Sequence, residues 1–210
     1  MISQEINVII LEDDVDYAEA LKGAASRHPD FKRIKSWVHL QSLSETLEHL
    51  SNNPSHARDV IVTDLGLPGS HRLEIFQQLH TQYPEIPIVI LTAAVDDSLS
   101  CQAIQTGAQD FLMKGKVDGA VLMHSIASAF ERNKIDRSKA DFVSLVAHDM
   151  SLPIMLIQAA LSSLKDKALG ELTEKQMAAV QTIDANTASL NKIAANILEF
   201  SKNSAKSSTS

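Results

Sequence analysis

Residues 60–76 read VIVTDLGLPGSHRLEIF, and the order of residue types in this stretch decides the fold. The run Val60-Ile61-Val62 is apolar without alternation, as expected of a parallel strand covered on both faces. It ends at an acid, Asp64, and the Gly and Pro that follow punctuate the chain before a helical pattern over about 71–83. A strand, an acid at its end and a helix make one βα unit.

Working outward, two more continuous apolar runs appear, VIIL at 8–11 and IVIL at 88–91. Strands are expected at 6–11, 33–38, 59–64, 86–92 and 110–114, with helices near 15–28, 40–51, 71–83, 96–107 and 118–133. Five such units imply an α/β fold, a doubly wound five-stranded parallel sheet of flavodoxin-like order 2-1-3-4-5. Sites in these sheets lie at the carboxyl ends of strands, which singles out Glu12, Asp13, Asp64, Thr92 and Lys114.

The composition changes along the chain. Residues 1–133 hold 10 Lys/Arg against 18 Asp/Glu, while 134–210 hold 9 against 8. An acidic first part argues against nucleic acid as partner. The single cysteine, Cys101, excludes an internal disulfide and fits a reducing cytosol. No secretory signal and no membrane-spanning segment is read, so a cytoplasmic chain without a membrane partner is expected.

From 134 onward the only helix-breaking residues are Pro153 and Gly170. One long helix is expected from 118 through the linker ERNKIDRSKAD to about 167, and a second from 174 to about 203. Gly170 is a plausible stop for the first, and Thr173 with Gln176 fits a capping box opening the second. Apolar residues at 143, 146, 150, 157, 161 and 164, then 180, 183, 187, 190, 193, 197 and 200, follow the three-and-four spacing of a bundle seam. A lone two-helix hairpin buries too little, so two copies are expected to form an all-α dimeric four-helix bundle. The ending SKNSAKSSTS is expected to be disordered. The domains so read are 1–130, a helical linker 131–141, a hairpin 142–203 and a tail 204–210.

Three acids converging at strand ends would repel one another. A hard divalent cation with oxygen ligands resolves that repulsion, and Mg2+ suits a site of few carboxylates. With the Thr92 hydroxyl and the Lys114 ammonium, the set fits phosphoryl transfer to a carboxylate. Taken singly, Asp13 and Asp14 fit the acidic start of a helix, and Lys114 a solvated surface; taken together they point to a site.

IILEDD, VIVTDLGLPGSHRLEIF, IPIVILTAA and GAQDFLMKG, in this order, resemble the four segments of the response-regulator receiver family over about 5–130. The resemblance implies Asp64 as phosphoacceptor. It implies Glu12, Asp13, Asp64 and the Gly66 carbonyl as the Mg2+ site, Thr92 and Lys114 as phosphate contacts, and Phe111 as the aromatic that reorients on activation. Arg72 and Gly115 depart from the family's usual Gly and Pro.

His148 is set apart among the eight histidines. On a helical wheel it lies about 200° from Val146 and about 160° from Met150, away from the apolar seam. Asp149 follows it, and Pro153 removes the hydrogen bond to the Asp149 carbonyl, which should loosen the helix there. An exposed imidazole beside a carboxylate is a reasonable phosphoryl acceptor. FVSLVAHDMSLPI resembles the H-box of sensor histidine kinases, and residues 138–203 resemble their dimerisation and histidine-phosphotransfer hairpin. Ser151 and Leu152 depart from the family's basic residue and its Thr or Asn.

No GxG, P-loop or glycine-rich lid occurs, so no ATP site is read. The whole resembles a hybrid sensor histidine kinase without its ATP-binding domain, either a piece of a longer kinase or a phosphotransfer protein in its own right. The implied partners are a second copy, an upstream histidine kinase or phosphotransferase, and a downstream receiver or an ATP-binding domain in trans. The alternative is a non-catalytic dimeric scaffold whose receiver gates partner binding and whose His148 is unused.

Overall fold

The computed structural model describes residues 5–68, 73–93, 104–166 and 170–207. Contacts divide the chain into two compact units, the division falling between Arg137 and Ser138.

In the first unit, strands β1 (Ile6–Leu11), β2 (Ile34–Leu40), β3 (Asp59–Asp64), β4 (Ile88–Thr92) and β5 (Asp110–Met113) form one sheet in the order β2-β1-β3-β4-β5. All four pairings are parallel. This is the order expected from the spacing of the apolar runs. The helices are α1 (Val15–Ala25), α2 (Leu43–Asn52), α3 (Glu74–Gln82), α4 (Gly119–Lys165) and α5 (Glu174–Ser207).

Alternate residues of each strand feed opposite faces. Val8 and Ile10 of β1 join Val60, Val62, Val89 and Leu91 in a core closed by α1 and the first turns of α4, through Leu21, Leu122 and Ile126. Ile9 and Leu11 join Ile61, Ile88 and Ile90 in a second core closed by α2 and α3, through Leu50, Phe76 and Leu79. Burial on both faces is why these strands read as unbroken apolar runs. The start of α4 packs tightly on α1: a Cβ on Gly119 would come within 2.0 Å of the Ala24 carbonyl oxygen.

Several boundaries differ from expectation. β4 begins at Ile88, because Pro87 has no N–H to give a ladder. Leu40 belongs to β2, and Ser42 opens α2 by accepting a hydrogen bond from the Glu45 backbone N–H at 3.3 Å. β5 ends at Met113, where the chain turns through Gly115 at φ +83°. The helix expected over 96–107 lies largely outside the described residues, as do Arg72 and Cys101.

In the second unit the rest of α4 pairs with α5. Hydrogen bonding between Asn191 and Gln158 and an ion pair between Lys165 and Asp184 give an antiparallel hairpin, each seven-residue step along α4 matched by one backward along α5. The Thr173–Gln176 capping box forms as expected: Gln176 N–H donates to Thr173 Oγ1 at 3.3 Å, and Thr173 N–H to Gln176 Oε1 at 2.9 Å. Gly170 takes φ +108° ahead of it.

The residues buried in this hairpin are Ala147, Ile154 and Leu161 on α4 and Val180, Thr187 and Ala194 on α5, each set at heptad spacing. Leu161, Val180 and Thr187 of the expected seam are buried within one chain. Val146, Met150, Ile157, Ile183, Leu190 and Ile193 are exposed within one chain, since small residues let the two helices meet one step round the wheel.

One further boundary differs from expectation. α5 continues to Ser207, so residues 204–207 are helical rather than disordered; no Gly or Pro after Gly170 interrupts the hydrogen-bond ladder. α4 is, among the described residues, long and apolar enough to cross a membrane by length and composition, with an 18-residue window of mean hydropathy 1.4 that is 11% buried. Its apolar residues recur in threes and fours, the spacing of a helix that packs on other helices.

Candidate functional site

The strand register brings four sequence-distant positions to one edge of the sheet. Leu11 pairs with Thr63, Asp64 with Leu91, and Thr92 with Met113, so the residues just beyond these pairs are neighbours. Glu12 follows β1, Asp64 ends β3, Thr92 ends β4 and Lys114 follows β5. The carboxylates of Glu12, Asp13 and Asp64 offer oxygen atoms that all lie within 4.8 Å of one another. Glu12 and Asp64 are buried, and Asp13 is exposed.

Lys114 ties the buried pair together. Its Nζ donates to Asp64 Oδ2 at 2.8 Å and to Glu12 Oε1 at 2.8 Å. Glu12 Oε2 faces the same ammonium at 2.6 Å without hydrogen-bond geometry. Burial pushes the Glu12 carboxyl above its ordinary range, and the Lys114 hydrogen bond and charge offset only part of this. For Lys114, burial alone would favour the neutral amine. The hydrogen bonds and charges of Asp64 and Glu12 outweigh that and hold its pKa above the usual value, so it is an ammonium at neutral pH.

The backbone aims Lys114. Its N–H donates to the Thr92 carbonyl at 2.7 Å, and Lys116 N–H closes the turn on Met113 at 3.1 Å. The described peptide bonds are all trans, and the turn is made by Gly115 in the left-handed region at φ +83°. Thr92 is half-buried at the strand end, and Phe111 packs half-buried against the α2–α3 side core.

The donor set fits a hard divalent cation such as Mg2+. Three carboxylates converge, one buried Glu12 oxygen has no hydrogen bond, and Gly66 leaves room beside them. A Cβ at Gly66 would stand 3.1 Å from Asp64 Oδ2, crowding the carboxylate.

Two residues of this site were not found from sequence. The Tyr17 ring lies beneath Lys114, its centroid 4.7 Å from Nζ. His39 Nε2 meets the Glu12 carbonyl oxygen at 2.8 Å, steadying the chain where the two acids leave β1. The signal for Tyr17 was present: Asp14 caps α1 by accepting from Tyr17 N–H at 3.0 Å, which sets Tyr17 in the first turn beside the acids. His39 carried none, since it lies on a different strand.

In the second unit, His148 is 82% and Asp149 70% exposed, with Nδ1 and Oδ1 3.5 Å apart. That is contact at the outer limit of a hydrogen bond. The imidazole therefore presents Nε2 to solvent. α4 is unbroken across Pro153, and Ser151 Oγ donates to the Ala147 carbonyl at 2.9 Å.

The response regulator receiver domain family matches residues 8–127, and the His Kinase A (phospho-acceptor) domain family matches residues 138–206; no ATP-binding domain was detected. The transcriptional regulatory protein DegU of Brevibacillus brevis is 25% identical over 122 residues, covering 58% of this chain and 49% of that protein. The C4-dicarboxylate transport transcriptional regulatory protein DctD of Pseudomonas aeruginosa is 36% identical over 76 residues, 36% of this chain and 16% of that protein. The chain thus spans half or less of these relatives. Among solved structures, a response regulator receiver domain protein from Clostridium thermocellum superposes with a TM-score of 0.52 at 21% identity, covering 62% of this chain and 98% of that one. The response regulator StyR superposes with a TM-score of 0.56 at 22% identity, covering 93% and 92%. These two likenesses concern the fold.

Proposed function

The chain belongs to the response regulator receiver family, its receiver followed by a His Kinase A domain in a two-component signalling protein, and from that premise we propose that Asp64 and His148 are its phosphoacceptors. The observation that carries the reading is the buried Glu12–Lys114–Asp64 bridge at the carboxyl edge of the sheet.

Asp64 acts as nucleophile. Its Oδ1 attacks the phosphorus of an acyl phosphate or a phosphohistidine, and the bond from phosphorus to the donor breaks. The leaving group departs with the electron pair, and an aspartyl phosphate remains. Lys114, held as an ammonium, neutralises charge on the transferring phosphoryl oxygens, and the Thr92 hydroxyl donates a hydrogen bond to them. Glu12, Asp13, Asp64 and the Gly66 carbonyl are the residues that would hold Mg2+, which supplies further charge neutralisation between phosphoryl group and carboxylate. Burial of Glu12 and Asp64 strengthens these contacts by excluding water.

His148 offers Nε2 as a second nucleophile, with Asp149 orienting the ring through Nδ1. An ATP-binding domain in trans, an upstream histidine kinase or phosphotransferase, and a downstream receiver are the partners this chemistry calls for. The hairpin acts as a homodimer. At about 100° per residue, exposed Val146, Met150 and Ile157 on α4 and Ile183, Leu190 and Ile193 on α5 lie on the same flank of the antiparallel pair. A second copy covers that flank and gives a four-helix bundle. His148 sits on the opposite flank and stays open. The cytoplasm is the compartment we assign. No observation favours the scaffold alternative.

Intact-mass spectrometry after incubation with acetyl phosphate tests the acceptor. One phosphoryl group is expected on the wild type in the presence of Mg2+ and none on Asp64→Asn. Equal labelling of both removes Asp64 from the role.

A further inference from the structure

We infer that Tyr17 is a positioning residue for Lys114, its ring face holding the ammonium over Glu12 and Asp64. The inference deepens the receiver reading and rests on it for its rate measurement. Three observations carry it. Nζ lies 4.7 Å from the ring centroid, inside the range where a cation is drawn to the negative face of an aromatic ring. The ring is itself fixed: it packs against the core under α1, and its backbone N–H is held by the Asp14 cap at 3.0 Å. Lys114 reaches the site from a turn on another element, and a four-carbon stem would otherwise sample many rotamers.

The backbone fixes where the Lys114 stem begins, through its N–H to the Thr92 carbonyl at 2.7 Å. The carboxylates draw the ammonium to one end of its reach. During transfer, however, Asp64 changes from a carboxylate to an acyl phosphate: Oδ2 becomes an uncharged carbonyl oxygen, its hydrogen bond from Nζ weakens, and a phosphoryl oxygen competes for the ammonium. The ring contact does not depend on the charge of Asp64. It therefore keeps the ammonium within the site while its hydrogen-bond partners exchange. A hydroxyl is not needed for this; an aromatic face is.

The test uses the full chain and the pair Tyr17→Phe and Tyr17→Leu, which keep and remove the aromatic face at similar bulk. The rate of Asp64 labelling from acetyl phosphate at saturating Mg2+ is expected to fall in Tyr17→Leu by roughly 5- to 30-fold, the range of a cation–π contact partly removed from water. The conservative Tyr17→Phe is expected to restore it. Mg2+ affinity, followed by NMR at the Asp13 and Gly66 amides, is expected to stay within about twofold in both variants. The ε-methylene protons of Lys114 lie over the ring and are expected upfield of their ordinary position in wild type and Tyr17→Phe, returning to it in Tyr17→Leu.

Those proton shifts report on Tyr17 and Lys114 whether or not Asp64 accepts phosphate, so failure of the receiver reading and failure of this one are separable. An ordinary Lys114 shift in the wild type overturns the inference. So does a Tyr17→Leu chain labelled at the wild-type rate, an equal slowing in Tyr17→Phe, or a loss of Mg2+ affinity matching the loss of rate. Should Tyr17→Leu fail to fold, Tyr17→Met carries the same comparison.

Discussion

The ammonium of Lys114 lies 2.8 Å from Oδ2 of Asp64 and 2.6 Å from Oε2 of Glu12, so one cation stands between two buried carboxylates. Removing it leaves like charges facing one another where water is scarce. Lys114→Met is therefore expected to lose about 3 kcal/mol of stability, read as a lower urea midpoint. Added Mg2+ should recover part of that loss, because a second cation can take over the neutralisation. A variant as stable as the wild type, and indifferent to Mg2+, would show that the bridge contributes nothing to the fold.

Gly66 is needed for room rather than for an unusual backbone. With a Cβ 3.1 Å from Oδ2, Gly66→Ala pushes the Asp64 carboxylate by a few tenths of an ångström. Labelling from acetyl phosphate should slow several-fold while the unfolding free energy stays within about 0.5 kcal/mol of wild type. Unchanged labelling kinetics would mean that Asp64 swings clear without penalty.

Two other glycines separate crowding from backbone preference. Gly119→Ala places a methyl 2.0 Å from the Ala24 carbonyl oxygen and must force α1 and α4 apart, at a cost of about 3 kcal/mol. Gly115→Ala meets no atom within 4 Å but keeps φ +83°, at a cost of about 1 kcal/mol. Denaturant melts should rank them in that order. The reverse order would place the tighter constraint in the Lys114 turn.

The two apolar sets of the hairpin should respond differently to substitution. Ile154 is buried within one chain, so Ile154→Ala is expected to cost the hairpin about 2–4 kcal/mol. Ile157 and Leu190 are exposed within one chain. Ile157→Glu with Leu190→Glu should therefore yield a monomer that keeps a folded first unit and loses helix in the hairpin, since charge buried at a dimer face is strongly unfavourable. Light scattering with circular dichroism measures both; a double variant still dimeric would move the interface elsewhere.

Much of this chain could be read from its residues in order. The runs at 8–11, 60–62 and 88–91 are apolar without alternation because each strand is covered on both faces, and that property is local to each run. Glu12, Asp64, Thr92 and Lys114 could be listed as strand-end residues for the same reason. The capping box at Thr173 and Gln176, and the outward direction of His148, follow from spacings of three to five residues along one helix. Contacts between elements were decided only by the tertiary structure. Tyr17 under Lys114, His39 on the Glu12 carbonyl and Gly119 against Ala24 join positions 97, 27 and 95 residues apart, and no periodicity carries that information. The hairpin seam shows why. Ala147 and Ala194 are weak hydrophobic signals beside Val146 and Ile193, yet the helices close on the alanines because a small side chain admits a closer approach. Periodicity along a helix sets which stripe is apolar; the shape of the surface it meets sets which residues of that stripe are buried.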